Sequence, residues 1–496
     1  MKPQCDVTIP ETVNLTPKLT ISRVLTGLWQ IADIERKSGP IDKKIGASML
    51  QQYVNAGFNT FDMADHYGTA EIIAGTLLKR QEKLAYQPII CTKWCPNPGP
   101  MTSKIVRAGI EERLARLGTS CIDLLQFHWW NFQHPAWLDA LHEISNLREK
   151  GLIKEIGVTN FDAAHLHLAI ADGIPLKTNQ VSLSLVDQRA TGSLADLCKN
   201  STVKILAYGT LCGGFLTNKW LGAHEPAEIK DWSKMKYKRF IDSAGGWEQF
   251  QNILRAVGQI ANKHNVSISN VATRWVLEQT GVAGVIIGAR LGENIHTENN
   301  LKLFSFELDE KDYEGLRVAF STSLKIPGDC GDEYRKPPFL TASGDLSHHL
   351  SQISNSHKKI PTPHRSGGTR VETGSEWESI AGYCRAQRIG NQIFVSGTTA
   401  TTGSSIIVAK DDAGAQTTFI LDKILGAISA LGASVTDIIR TRIYIISEED
   451  AYTVSQAHGR VFGSIKPVNT LIVIKDLIGD YRVEIEAEAL LDNSQK

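Results

Sequence analysis

Asp62, Tyr67, Lys93 and His128 are the residues whose types and spacing could do chemistry in this chain. Asp62 ends an apolar run from Phe58 to Phe61, and an unpaired carboxylate at the tip of a buried strand is expensive. A nearby cation removes that cost, and Lys93 at the end of the next apolar run is the candidate. Tyr67 follows in a loop closed by Gly68, and His128 ends the run after that of Lys93. The set suits reduction of a carbonyl by hydride. The carbonyl oxygen gains negative charge as hydride arrives, so it needs a proton donor and an electropositive pocket. A phenol with an unperturbed pKa of about 10 is a reluctant donor, but an adjacent ammonium stabilises its phenolate. Tyr67 is then the donor, Lys93 the ammonium, Asp62 its anchor, and His128 the group that orients or polarises the carbonyl.

These residues need elements that bring them together. Strand-like runs alternate with helical patterns, at Ser22–Leu25, Phe58–Phe61, Ile89–Thr92, Ile122–Phe127, Ile156–Val158, Gln180–Ser182, Lys204–Ala207 and Gly284–Ile287. Helix starts are marked by Asp162 and by Ser267. Such β-then-α units predict an α/β fold, a (β/α)8 TIM barrel, whose active-site residues gather at the carboxyl ends of the strands. An open doubly wound sheet would need G-x-G-x-x-G after its first strand, and Thr26-Gly27-Leu28-Trp29 does not match. Any one polar strand end is explained by solvent. Asp, Lys and His on three consecutive units are not.

The balance of 53 basic and 53 acidic residues points to neither nucleic acid nor an anionic membrane surface. Apolar runs fall short of the ~20 residues of a membrane span, and the N-terminus lacks the pattern of a secretory signal. A cytoplasmic protein with free thiols is expected. No metal site is expected, because Lys93 separates Cys91 from Cys95 and no second pair completes a zinc set. Trp29, Trp94, Trp129 and Trp130 fall at or after strand ends and predict an aromatic pocket for a bulky or flat carbonyl substrate.

Residues 20–325 resemble the aldo-keto reductase family. The resemblance is carried by Phe61-Asp62-Met63-Ala64-Asp65-His66-Tyr67-Gly68, Thr92-Lys93, Leu125-Gln126-Phe127-His128, Ile156-Gly157-Val158-Thr159-Asn160-Phe161, Ala207-Tyr208-Gly209-Thr210-Leu211 and Ile286-Ile287-Gly288-Ala289-Arg290. It implies NADPH bound without a Rossmann unit. Gly27 and Trp29 would border the cofactor; Thr159, Asn160 and Gln180 would hold the nicotinamide carboxamide, and Tyr208 would stack on its ring. Gly209, Leu211 and Gly213 would approach the pyrophosphate, Arg290 the 2′-phosphate, and Glu298 with Asn299 the adenine. The stretch Gly288–Asn299 is about a residue longer than the usual form, so NADH stays open beside NADPH.

Residues 336–376, with Pro361, Pro363 and Gly367-Gly368 and almost no apolar periodicity, read as a flexible connector between a barrel at 1–335 and a second domain at 377–496. Its histidines, His348, His349, His357 and His364, fit no metal motif. The second domain reads as a separate small α+β unit: a strand Gln392–Gly397, a helix Thr417–Leu431, a strand Ile438–Ile445, a helix Glu449–Phe462 and closing strands Asn469–Val473 and Val483–Leu490. It resembles the reactive-intermediate deaminase (RidA/YjgF-like) family through Gly382-Tyr383-Cys384-Arg385-Ala386, Phe394-Val395-Ser396-Gly397-Thr398 and Val483-Glu484-Ile485-Glu486-Ala487. That resemblance implies a chorismate-mutase-like fold, a homotrimer, and imine hydrolysis in active members. This chain has Asn469 where active members carry a carboxylate-gripping arginine, so an accessory module is expected. Arg385, Arg440 and Arg442 either serve another anion or lie exposed on edge strands. Two further readings stay open: a cofactor-binding sensor barrel with negligible turnover, and a bifunctional enzyme coupling imine processing to carbonyl reduction.

Overall fold

A computed structural model of the chain describes residues 9–31, 41–80, 84–291, 295–335, 357–403 and 405–492. A hairpin of β1 (Thr12–Thr16) and β2 (Leu19–Ser22) comes first. Eight parallel strands then close into a barrel: β3 (Val24–Gly27), β4 (Thr60–Asp62), β5 (Ile89–Trp94), β6 (Ile122–His128), β7 (Ile153–Thr159), β8 (Leu176–Ser182), β9 (Lys204–Tyr208) and β10 (Val282–Gly288), with β10 pairing back onto β3. All eight expected strands are present. The hairpin was not expected, and Ser22 belongs to it rather than to the first barrel strand. Its Leu19 and Ile21 pack against Leu25, Cys91, Leu124, Leu206 and Ala283, side chains of five barrel strands. The hairpin therefore closes the amino-terminal end of the barrel on an apolar plug, which leaves the carboxyl-terminal end for chemistry.

Helices cover the barrel, and their starts follow the expected caps. Asp162 Oδ1 accepts the amides of Ala164 and His165, both at 3.0 Å, to open Ala163–Ala171. Ser267 and Asn270 form a reciprocal capping box at the start of Ile268–Leu277. Close packing leaves little room at some glycines. A Cβ on Gly75, inside helix Ala70–Leu78, would lie 2.4 Å from the backbone oxygen of Leu117 at the end of the neighbouring helix. Alanine gains up to about 1 kcal/mol over glycine in a helix. The clash is with backbone that cannot swing away, so overpacking wins, and Gly75→Ala is expected to destabilise the barrel by about 1–3 kcal/mol in thermal melts.

The second domain is a seven-stranded sheet in the order β11-β12-β13-β14-β17-β15-β16, where β11 is Lys358–Pro361, β12 Thr369–Glu372, β13 Ala386–Ile389, β14 Gln392–Thr399, β15 Ile438–Ile445, β16 Val468–Val473 and β17 Val483–Leu490. Helices Ala413–Ala430 and Ala451–Phe462 pack with it. Phe419, Ile420, Ile424, Ile428 and Leu431, expected to point inward, are each fully buried. The connector needs correction. Residues 336–356 lie outside the described residues, but β11 and β12 form an antiparallel hairpin that extends the sheet, with Gly367-Gly368 in its loop. Of the eight residues in these two strands only Val371 is buried, so main-chain pairing carries the hairpin and no apolar alternation announces it.

The two domains touch. Helix Ala413–Ala430 lies between its own sheet and barrel helix Ala163–Ala171, with which it makes side-chain bonds. Packing on both sides explains why it is buried almost all round, polar Gln416, Thr417, Thr418 and Asp422 included.

Candidate active site

Strand pairing fixes the loop that carries Tyr67. Leu28 N donates to Asp62 O at 2.9 Å, Met63 N to Cys91 O at 2.9 Å and Asp65 N to Lys93 O at 3.1 Å. The loop thus stays pinned to both neighbouring strands beyond the short β4. Lys93 Nζ meets both carboxylate oxygens of Asp62, at 2.9 and 2.8 Å, and both residues are 3% exposed. Gln180 Nε2 donates to Asp62 Oδ1 at 2.7 Å, so the buried acid is paired and hydrogen-bonded. The ammonium sits 5.2 Å from the centre of the Tyr67 ring. Trp29 and His66 stand edge-on to that ring at 4.9 and 4.8 Å.

His128 completes the set from the end of β6. Trp130 lies 4.1 Å from its ring centre, Cys95 Sγ lies 3.9 Å from Nδ1, and Asn160 Nδ2 is 3.4 Å from Nε2. Asn160 adopts φ +58°, a left-handed conformation that asparagine tolerates better than most residues. Its Oδ1 accepts from the Tyr208 hydroxyl at 2.8 Å.

These residues line one cavity of about 640 Å³ at the carboxyl ends of the strands. Asp62, Tyr67, Lys93 and His128 line it, as do Gly27, Trp29, Thr159, Asn160, Gln180, Tyr208, Gly209, Leu211, Gly213, Arg290 and Asn299. Glu298 does not; it is exposed in the first turn of helix Thr297–Leu301. Of the four tryptophans expected to wall the pocket, Trp29 and Trp130 line it. Trp94 is instead buried against Gly109 and Phe127, and Trp129 donates its indole N–H to Asn131 O at 2.7 Å.

The cavity suits an extended dinucleotide. A Cβ on Gly209 would lie 2.4 Å from the Tyr237 hydroxyl oxygen, and one on Gly213 would lie 2.9 Å from the same ring, so backbone is laid bare at both points. Thr159 Oγ1 and Thr210 Oγ1 are buried with no hydrogen-bond partner among the described residues, as polar groups awaiting a ligand are. Arg290 forms a 2.8 Å ion pair with Asp231, which also caps helix Trp232–Ser243.

Several lining residues escaped the sequence reading. Lys219, Lys234 and Lys236 face the cavity, and the ammonium of Lys236 lies over the rings of Tyr208 and Tyr334 at 5.2 and 4.4 Å. In sequence, Lys234 and Lys236 alternate with apolar residues in Lys234-Met235-Lys236-Tyr237-Lys238 and resemble a solvated helix face. Tyr334 comes from Asp332–Arg335, after the last barrel strand and helix, and nothing around it in sequence marks it. Asp65, His66 and Cys95 bring one ligand atom each within 4.8 Å of one another. The carboxylate of Asp65 is already committed to His66 Nδ1 and to the Cys95 amide, both at 2.9 Å. All seven described cysteines are unpaired, and no helix among the described residues is long and apolar enough to cross a membrane.

In the second domain Arg385 is buried, not exposed on an edge. Its Nη1 donates to Gly397 O at 2.7 Å and to Thr398 Oγ1 at 2.8 Å. Arg440 and Arg442 pair with Glu488 and Glu486 at 3.5 and 2.8 Å. Asn469 Oδ1 accepts from Thr441.

Comparison with known proteins follows the same division. The aldo/keto reductase family model matches residues 23–319, and the endoribonuclease L-PSP model matches residues 373–491. The NADH-specific methylglyoxal reductase of Escherichia coli K12 is 23% identical over 331 residues, covering 61% of this chain and 95% of that protein. A glycerol dehydrogenase structure from Gluconobacter oxydans shares 21% identity, covers 65% of this chain and 98% of its own, and superposes with a TM-score of 0.53, a likeness of fold. A YjgF/YER057c/UK114 family structure from Mycobacterium tuberculosis is 39% identical, covering 25% of this chain and 99% of its own, with a TM-score of 0.23.

Proposed function

The chain belongs to the aldo/keto reductase family over residues 23–319 and carries an endoribonuclease L-PSP (YjgF-type) domain over 373–491, and from that premise we propose that it reduces an aldehyde or ketone to an alcohol with NADPH. The observation that carries the reading is the buried Asp62–Lys93 pair set 5.2 Å from the Tyr67 ring at the mouth of the barrel. When bound, the nicotinamide supplies the hydride. Thr159, Asn160 and Gln180 would hold its carboxamide, the face of Tyr208 its ring, the bared backbone at Gly209, Leu211 and Gly213 the pyrophosphate, and Arg290 the 2′-phosphate.

The chain's own residues manage the proton. Tyr67 Oη donates it to the carbonyl oxygen as negative charge develops there. Lys93 stabilises the phenolate left behind, and Asp62 keeps the ammonium in place at low cost in desolvation. His128 offers a ring nitrogen to the same oxygen, and Trp29 with Trp130 excludes water from the reacting centre.

The preference for NADPH is supported by the guanidinium of Arg290, whose planar fork suits a phosphate. Its partner Asp231 must yield to or share it with that phosphate. Arg290→Ala is expected to raise the KM for NADPH about tenfold, as loss of a charge-assisted bond would, and to leave that for NADH nearly unchanged. Equal effects on the two would remove Arg290 from 2′-phosphate recognition. The reading as a whole is tested by following NADPH and NADH absorbance against a panel of aldehydes and ketones. Binding of cofactor without steady-state turnover of any of them would identify a sensor barrel instead. The second domain is proposed as a ligand-binding or oligomerising module. The exposed apolar side chains of Val468, Ile472 and Val473 on edge strand β16 support self-association there, for which the trimer is the expected form.

A further inference from the structure

His165 lies at the boundary between the two domains, 4% exposed, with a carboxylate on each ring nitrogen. Nδ1 is 2.7 Å from Asp162 Oδ2 in its own domain, and Nε2 is 2.8 Å from Asp422 Oδ2 in the other. A neutral imidazole has only one N–H, so two accepting carboxylates call for the doubly protonated ring. Burial alone would lower the pKa of His165, but the charges of Asp162 and Asp422 outweigh it and raise it.

The far side of this bridge leads to the cofactor pocket. Arg335 Nη2 is 3.6 Å from Asp162 Oδ2, and its Nη1 donates to the backbone oxygen of Asn160 at 2.6 Å. Phe132 stacks on His165 at 3.6 Å and 9°, and the Arg335 guanidinium lies 4.5 Å from the same Phe132 ring. Gly331 approaches so closely that a Cβ there would sit 2.4 Å from Asn160 O. Asn160, at φ +58°, holds a left-handed conformation that asparagine tolerates but that still needs restraint from its surroundings. The segment 331–335 supplies that restraint, and the second domain braces the segment's partner Asp162.

We propose that Asp422 of the second domain is a positioning residue for the nicotinamide pocket, acting through His165, Asp162 and Arg335 on Asn160. The inference rests on the proposed role of Asn160 in holding the carboxamide. The module fused to the barrel is then part of the cofactor site although it touches no cofactor. The same interface supplies an internal control. His167 Nε2 meets Asp412 Oδ2 at 2.6 Å, also across the domains, away from the Asp162–Arg335–Asn160 chain of contacts. Asp412 also caps the helix that carries Asp422, its Oδ1 accepting from Ala415 N at 2.8 Å, so the control breaks this bond from the barrel side: loss of His167 weakens docking without reaching Asn160, and loss of Asp422 reaches it.

The test titrates the full chain with NADPH and with NADH, reading tryptophan fluorescence, so that binding is measured apart from turnover. Asp422→Ala is expected to raise Kd about tenfold, and Asp422→Asn, which keeps an acceptor for His165, about threefold. His167→Ala is expected to stay within about twofold of the unaltered protein. In an Asn160→Ala background, Asp422→Ala should add less than about twofold, because the two act on one contact. The proposal is overturned if Asp422→Ala binds as the unaltered chain does, if His167→Ala weakens binding equally, or if the effect of Asp422→Ala persists in full without Asn160. Should Asp422→Ala fail to fold in thermal melts, an unchanged Kd in Asp422→Asn overturns it. If the unaltered chain binds neither dinucleotide, it is the reductase reading that fails.

Discussion

Tyr67→Phe is expected to lower kcat for carbonyl reduction by about 10²–10⁴-fold, the usual contribution of a positioned general acid. The substitution removes one oxygen and keeps the ring that packs between Trp29 and His66. Dinucleotide affinity should therefore hold within about twofold, since truncations away from a contact rarely cost more than about 0.5 kcal/mol. Stopped-flow measurement of hydride transfer with bound NADPH separates the two quantities. A variant that retains full activity would show that water or His128 protonates the product and that Tyr67 is only part of the wall.

Lys93→Met should cost stability as well as activity. It leaves the Asp62 carboxylate buried beside the Gln180 amide with its cation gone, and breaking one side of a buried ion pair typically costs about 3–5 kcal/mol. For a barrel of about 300 residues that corresponds to a fall in Tm of roughly 5–8 °C. Adding Asp62→Asn removes the stranded charge, so the double variant is expected to be more stable than Lys93→Met alone and equally inactive. Thermal melts of the four proteins form a closed cycle. Additive losses would mean that the pair is not coupled, and the role of Asp62 as the lysine's anchor would fall with it.

The barrel was legible because its strands are buried on both faces and read as short continuous apolar runs between helical patterns. The polar residues at the ends of those runs stood out for the same reason. The hairpin β1–β2 was missed although Thr12–Thr16 alternates polar and apolar residues: so short a run is ambiguous by itself, and its value lies in plugging a barrel that must already exist. The strands β11 and β12 were read as connector because a sheet edge needs main-chain pairing more than apolar side chains. Lys236 and Tyr334 were missed because each becomes part of the site only when a helix and a late segment fold over the barrel mouth.

What the sequence alone determined is the chemical set and its order on successive strands: an acid, a phenol, an ammonium and an imidazole, with glycines where backbone must be bare. Residue type and strand-end position suffice for that, since a (β/α)8 barrel sends every strand end to one face. Only the tertiary structure decided which tryptophans face the cavity, that Arg290 is shared with Asp231, and that a histidine on a barrel helix bonds to the second domain. Those depend on side chains 59 and 257 residues apart, or on which side of a loop faces inward. Local periodicity carries no record of either, because it reports the burial of a residue and not the identity of the group that buries it.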